Sequence, residues 1–584
     1  MSGPPSPAFL AACRMLSQRR WSEALAAFDA VLATEPDYAP AHNNRGVALH
    51  NLRRDDEALA AYSAALKLAP ADAGAWCNRG NALTSLRRFP EALAAFDAAL
   101  AHDPSLRAGL DNRGALNLMT ARYEAAAHDY AALLALAPDH PFARANLLLA
   151  RRHLCDWRDH DALRDAIDAD ARAGRPACPP FAALALLDDP EAQARCASLW
   201  TQVYFPPGTP IVTAPPTAQE CIRVAYLSGD FHEHATAHLA IEVFERHDRA
   251  RFETIALSYG PDTGDAMRAR LKNAFSEFID VSELSDRAIA ELMAARGVDI
   301  AIDLKGYTLE GRPGILAHRG APVQVSFLGF PGTLGAPYVD YVIADPVIAP
   351  REGAASYSEK IVRLPLCYQP NSGRRADAAP TRAELGLPND AFVLASFNNA
   401  FKIAPDMFAA WMRLLRATPG AVLWLYADEA CAANLRAHAE TAGVDPKRLV
   451  FAAHAAHAAH LARLACADLI LDTYPYNGHT TASDALWAGV PVITLCGATF
   501  ASRVAASLVA AAGAPDLATT SLADYEAIAL HLARDMRALA EVKARLKPDA
   551  PLFDMARYTR DFEAALEAML ARAIAGLASA PIEL

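Results

Sequence analysis

The feature that most limits what this chain can become is a repeat. Over residues 6–141 one pattern returns every 34 residues. Arg45-Gly46, Arg79-Gly80 and Arg113-Gly114 are in step. So are Phe28, Tyr62, Phe96 and Tyr130, and so are Pro36, Pro70, Pro104 and Pro138. Each period reads as a helix around the glycine, a turn, and a second helix of the Glu-Ala-Leu-Ala-Ala-Phe type that stops at the proline. A lone helix pair cannot bury its apolar face, so neighbouring units must stack into a solenoid. Residues 1–141 are therefore expected to form about four helix-pair repeats in an α-superhelix. Glycine and alanine let the helices approach, and the aromatic fills the gap beside them.

Asn44, Asn78 and Asn112 each stand two residues before a repeat glycine. One amide per repeat at one register makes a polar ladder. An Asn amide donates to and accepts from an extended backbone without reading its side chains, so an acceptor peptide along the concave face is one reading. A solvated helix face is the other.

After the repeats the period is lost. Residues 142–218 read as a helical adaptor, with helices over Arg144–Arg152 and Asp161–Ala173, followed by a Pro-rich linker through Pro176–Pro180 and Pro206–Thr217. From Ile222 short apolar runs alternate with helical segments, the pattern of parallel sheets covered on both faces. Strands are expected at Ile222–Leu227, Phe252–Ser258, Val298–Asp303, Val323–Phe327 and Tyr341–Asp345, and again at Phe392–Phe397, Ala421–Tyr426, Leu449–Ala452, Leu469–Asp472 and Val492–Leu495, with a last helix over Tyr558–Ile574 closing the chain. This divides the remainder into two Rossmann-like domains, 219–375 and 376–584. Ligands of such sheets bind at the carboxyl ends of the strands, here in a shared cleft.

Four strand-to-helix loops carry the candidate chemistry. Asn477-Gly-His-Thr-Thr481 joins a strand tip to a helix start, where free N–H groups and the positive dipole end suit a phosphate. His479, Thr480 and Thr481 add donors, and Asp484 lies one turn in, placed for sugar hydroxyls. An ordinary turn with a capping Thr is the plain alternative. Lys402 follows the strand Phe392–Phe397 and can offset charge on a leaving diphosphate; alone it would read as a surface lysine. His234 follows Ile222–Leu227 and can take a proton from an attacking hydroxyl. His234 and His238 are four apart, but the segment does not match H-E-x-x-H, and no metal is expected. Gly329, Pro331, Gly332 and Gly335 allow backbone to approach a ligand closely. His454, His457 and His460 read better as an Ala/His helix entry than as a zinc site, while His460 and Arg463, one turn apart, could frame a base or ribose.

Composition narrows the partners. A net charge of −12 argues against general nucleic-acid or anionic-membrane binding. Ten cysteines without a C-x-x-C pair suit free thiols in a reducing compartment. The start, Met-Ser-Gly-Pro-Pro-Ser-Pro, lacks a secretion signal, and no long uncharged apolar stretch occurs, so a cytoplasmic location is expected.

The repeats resemble tetratricopeptide repeats. Together with Ser228–Leu239, Gly306–Thr308, Leu328–Ala336, Phe397–Pro405, Val422–Leu425, Asn477–Asp484, Leu486–Gly489 and Ala501–Ser507, the chain resembles the O-linked N-acetylglucosamine transferases, glycosyltransferase family 41, as a bacterial member with N-terminal repeats. The resemblance covers nearly the whole chain. It implies a GT-B catalytic region and an inverting, metal-independent transfer of N-acetylglucosamine from UDP-GlcNAc to Ser or Thr of proteins recruited by the repeats. It implies that Lys402 neutralises the diphosphate, that His479, Thr480 and Thr481 hold its phosphates, that Asp484 takes the ribose, and that His460, Arg463 and Asn399 border the nucleotide. His234 would be the base or an acceptor-side residue, and the Gly329–Gly335 loop would face the sugar. Animal enzymes carry Lys at the place of His457, Gln at Asn399 and Tyr at Phe401, which leaves GDP-fucose, UDP-glucose or a nonulosonic-acid donor open. A non-catalytic repeat scaffold is the alternative from another class.

Overall fold

The computed structural model describes residues 5–584, and it contains two compact units, Met1–Arg151 and Arg152–Leu584. Met1 to Pro4, part of the segment read above for a leader, lie outside the described residues.

The first unit is built from eight paired helices: α1 (Pro7–Ser17), α2 (Trp21–Thr34), α3 (Ala39–Asn51), α4 (Asp55–Leu68), α5 (Ala73–Ser85), α6 (Phe89–His102), α7 (Arg107–Met119) and α8 (Tyr123–Leu136). The period has a steric cause. A Cβ on Gly46 would lie 2.5 Å from the Tyr62 ring, and one on Gly80 would lie 2.5 Å from Phe96. Gly114 meets Tyr130 at 3.0 Å in the same way. In the first pair the equivalent position is Ala12, fully buried, as is Phe28. The aromatic therefore packs on the glycine within its own helix pair. Arg19, Arg53, Arg87 and Ala121 close the intra-pair turns with positive φ near +60°, a conformation L side chains adopt at some energetic cost.

The second unit opens with helices that sequence reading gave in part. Ala143–His153, which crosses the unit boundary, and His160–Arg172 match the expected adaptor helices. Between the two Pro-rich segments lie two further helices that the reading did not contain, Pro180–Leu186 and Pro190–Tyr204, while 206–217 holds no helix or strand, as read. Pro180 and Pro190 sit in the first turn of these helices, where proline starts a helix rather than breaking it.

Two parallel sheets follow. The first contains β1 (Ile222–Ser228), β2 (Phe252–Ser258), β3 (Glu277–Asp280), β4 (Ile300–Asp303), β5 (Val323–Ser326), β6 (Tyr341–Ala344) and β7 (Lys360–Arg363). The second contains β8 (Phe392–Ser396), β9 (Ala421–Tyr426), β10 (Leu449–Ala452), β11 (Leu469–Leu471), β12 (Val492–Leu495) and β13 (Ala518–Thr519). Its order is β10-β9-β8-β11-β12-β13. A final strand, β14 (Ile582–Glu583), lies at the edge of the first sheet, whose order is β14-β7-β6-β5-β4-β1-β2-β3. Register aligns the strand ends: Leu227 pairs with Asp303, and Ser396 with Leu425. Strands β4 to β6, β11 and β12 are buried throughout, as parallel strands covered by helices must be.

The expectation that 376–584 forms one C-terminal body needs correction. Helix Met555–Ile574 and β14 return to the first sheet: Glu563 receives hydrogen bonds from the His247 ring (3.0 Å) and the Asp248 N–H (2.8 Å), and Ile582 pairs with Val362. The edge strands β3, β13 and β14, and β7 next to the edge, escaped sequence reading because they are only two to four residues long.

Phe96→Ala should destabilise the repeat unit by about 3–5 kcal/mol, since it empties the space against Gly80. Hydrogen exchange over α5–α8 in the full chain measures this directly.

Candidate functional site

The site is built around a buried carboxylate. Asp472, at the tip of β11, accepts hydrogen bonds from the Gly478 N–H (2.6 Å), the Thr494 hydroxyl (2.6 Å) and the Asn398 amide (3.1 Å). Asn398, at the tip of β8, also donates to Thr473 Oγ1 (2.9 Å), and its Oδ1 accepts from the Thr481 hydroxyl (2.6 Å). These bonds tie two strand tips and the intervening loop into one knot. Helix Thr480–Trp487 starts beyond it. The residue before that helix, His479, makes no side-chain cap, so the first-turn N–H groups have neither an intrahelical partner nor a cap. A Cβ on Gly478 would lie 2.6 Å from Thr481 Oγ1, which explains the glycine.

Lys402 lies buried against this knot. Its ammonium donates to the Asn477 carbonyl (2.8 Å) and sits 3.6 Å from the centre of the Tyr476 ring. Burial pushes its pKa down to about 7, with the charge of Asp472 acting in the opposite direction. The structure thus brings Lys402, His479, Thr480 and Thr481 together. The His479 imidazole is driven well below its ordinary range by burial, then by Lys402, and its buried Nε2 has no hydrogen-bond partner. Thr481 differs from the expectation that both hydroxyls are phosphate donors: its hydroxyl proton goes to Asn398, leaving its backbone N–H for a ligand.

The residues expected to border the nucleotide form a second group. Arg463 Nε donates to His460 Nδ1 (3.1 Å) and its guanidinium lies over the Phe397 ring. Burial and then the Arg463 charge hold His460 down at about 4, so the neutral ring keeps its proton on Nε2, free to donate. Asn399 is exposed at the mouth of the same loop. Asp484 is not open to sugar hydroxyls as expected. Its oxygens meet the Arg374 Nε (2.7 Å) and the His457 Nε2 (3.3 Å). Burial raises its pKa, but these two partners outweigh it and leave the carboxyl below the usual range. Arg374 comes from the segment between the two sheets, and sequence reading missed it because its partner lies 110 residues away.

His234 caps helix Ala235–Arg246 from the first sheet, half-buried. Its Nδ1 lies 3.2 Å from the Thr236 N–H and 3.4 Å from Asp230, which in turn holds the buried Lys305 ammonium at 2.8 Å. Burial lowers its pKa, Asp230 opposes this, and Lys305 adds to it. One turn on, the His238 ring lies tilted against His457 at 4.1 Å between ring centres, so the tips of the two sheets converge here.

The Gly329–Gly335 loop packs against the protein itself instead of standing open to a ligand. A Cβ on Gly329 would lie 2.0 Å from the Leu304 carbonyl, and one on Gly335 would lie 2.4 Å from the Ser198 N atom. Pro331 and Gly332 are buried, and Gly332 lies beside Phe330 and Leu184. The backbone that these glycines admit is the protein's own. In the repeat unit Asn44, Asn78 and Asn112 are half-buried, and each amide donates to the preceding repeat: to Cys13 Sγ (3.4 Å), Asn43 Oδ1 (3.0 Å) and Cys77 Sγ (3.5 Å). They cross-link repeats and keep part of each amide free. Among the described residues no group of three or more His, Cys, Asp or Glu could hold a metal ion, and no helix is long and apolar enough to cross a membrane.

Comparison with known proteins bears on this arrangement. The profile of glycosyl transferase family 41 matches residues 212–370 and 371–562, and tetratricopeptide repeat profiles match 9–73 and 73–106. The chain is 34% identical over 445 residues to a probable UDP-N-acetylglucosamine–peptide N-acetylglucosaminyltransferase, SEC, of Arabidopsis thaliana, covering 71% of this chain and 46% of that protein. It is 28% identical to the UDP-N-acetylglucosamine–peptide N-acetylglucosaminyltransferase of Caenorhabditis elegans, covering 61% and 41%. The chain thus spans less than half the length of these relatives. A solved O-GlcNAc transferase mutant of Thermobaculum terrenum superposes with a TM-score of 0.69 at 28% identity, covering 92% of this chain and 98% of that one.

Asn398→Leu should lower stability by about 1–3 kcal/mol, because it strands the Asp472 and Thr481 groups in a buried site. Thermal denaturation of the variant against the native chain checks this.

Proposed function

The chain belongs to glycosyltransferase family 41, and from that premise we propose that it is an inverting transferase moving N-acetylglucosamine from UDP-GlcNAc to Ser or Thr hydroxyls of proteins, without a resident metal, in the cytoplasm. The observation that carries the proposal is Lys402: a buried ammonium beside an uncapped helix start. A diphosphate there would receive the first-turn N–H groups of Thr480, Thr481 and Ala482, and the Lys402 charge.

In this reading the acceptor oxygen attacks the anomeric carbon on the face opposite the diphosphate. The sugar–phosphate bond breaks with both electrons leaving on the diphosphate, where Lys402 offsets the new charge. The hydroxyl proton passes to His234; its Nδ1 accepts from the Thr236 N–H in the free protein, so acting as a base through Nε2 requires the ring proton to move to Nδ1, toward Asp230 at 3.4 Å. Uridine would lie against His460, Arg463 and Asn399. The ribose would take Asp484 in place of His457 or Arg374. Acceptor backbone would use the remaining amide groups of Asn44, Asn78 and Asn112.

Incubating the protein with acceptor proteins and UDP-GlcNAc, UDP-glucose, GDP-fucose or a nonulosonic-acid donor, and reading intact masses, tests donor and acceptor together. N-acetylhexosamine addition is expected; addition from another donor only, or none, overturns the donor assignment. Lys402→Met should reduce turnover by about 10²–10³-fold while the protein stays folded.

Two pH effects follow. UDP should raise the Lys402 pKa from about 7, so binding at pH 8 should take up a proton. Calorimetry in buffers of different ionisation enthalpy detects it, and Lys402→Met should abolish it. The His234 pKa is depressed, so the acid limb of the rate profile should lie below the ordinary histidine value of about 6.5 and vanish in His234→Ala.

A further inference from the structure

Arg152 is 1% exposed at the end of helix Ala143–His153, and among the described residues no carboxylate pairs with it. Its Nε donates to the Phe401 carbonyl at 3.0 Å, its Nη1 meets His160 Nε2 at 3.1 Å, and its Nη2 is buried without a partner. Burial holds even this guanidinium down at about 10. A buried cation without an anion is expensive, and stability alone gives no reason for one here.

What it touches gives the reason. Phe401 is the residue before Lys402, in the tight turn Ala400–Lys402. The Cys155 thiol points at the carbonyl of Ala400, one residue further back. The His153 ring centre lies 4.8 Å from that of Phe401, and Phe181 of helix Pro180–Leu186 contacts both Phe401 and Tyr476. The same Tyr476 ring carries the Lys402 ammonium. The backbone and the aromatic wall behind Lys402 are therefore held by adaptor residues.

Resting on the functional reading above, we propose that Arg152 is a positioning residue for Lys402: its guanidinium fixes the Phe401 carbonyl and so the turn that aims the ammonium at the diphosphate. A small misplacement of a charge-stabilising group is enough to cost about 10²-fold in rate.

The test is a double-mutant cycle with UDP affinity and donor turnover as readouts. In the native background Arg152→Met should lower turnover by about 10²-fold and weaken UDP binding, with a melting temperature unchanged or higher because a buried charge is gone. In the Lys402→Met background the same change should have no further effect on UDP affinity. Arg152→Lys, which keeps the cation and one donor, should recover part of the turnover, and it carries the cycle if Arg152→Met does not fold. Equal losses in both backgrounds, or no loss in either, overturn the inference while leaving the functional reading intact. A native protein that binds no UDP overturns both.

Discussion

Holding an ammonium group out of water is the constraint around which the second unit is arranged. Lys402 has one oxygen partner, the Asn477 carbonyl, and one aromatic face, Tyr476. That is too little to replace hydration, and the depressed pKa is the measure of the shortfall. The structure keeps this unfavourable arrangement by over-determining everything around it. Asp472 supplies a nearby negative charge and accepts three hydrogen bonds. Asn398 links it to the helix start, and Arg152 fastens the turn from behind. A site strained in this way favours a ligand that brings two negative charges.

The two sheets must also be held so that their strand tips face each other. Three long-range connections do this. Ser507 of the second half donates to the buried Asp345 of the first at 2.7 Å. Arg503 donates to the Val347 carbonyl. The last helix crosses back, with the Tyr558 hydroxyl reaching the Tyr368 carbonyl, before β14 joins the first sheet. At the mouth of the cleft, Glu233, His238, His457, Asp484 and Arg374 form a continuous chain across it, with hydrogen bonds at each step except the ring contact between His238 and His457. The Asp484 carboxylate is occupied by this chain.

Much of the fold was legible because its causes are local. The 34-residue period follows from an aromatic ring lying on a glycine, and both are visible in the sequence. Buried parallel strands announce themselves as apolar runs, as in Leu469–Leu471 and Val492–Leu495. The Asn477–Thr481 loop was legible too as a strand tip leading into a helix start, which needs only short-range reasoning. What escaped depends on partners far apart in the chain. Arg374 and Arg152 take their meaning from Asp484 and Phe401, 110 and 249 residues away. The adaptor helices after Pro180 and Pro190 were hidden by prolines that start helices as readily as they end them. The glycines of the 329–335 loop misled for a related reason: a Gly-rich loop signals close approach, and here the approaching backbone is Leu304 and Ser198 rather than a ligand.

The most direct measurement of the central claim is a crystal structure of the protein with UDP. The account places the diphosphate between the Lys402 ammonium and the N–H groups that open helix Thr480–Trp487, at charge-assisted hydrogen-bond distances of about 2.7–2.9 Å. UDP bound elsewhere, or bound in the cleft with Lys402 still turned to the Asn477 carbonyl and away from phosphate, would contradict it.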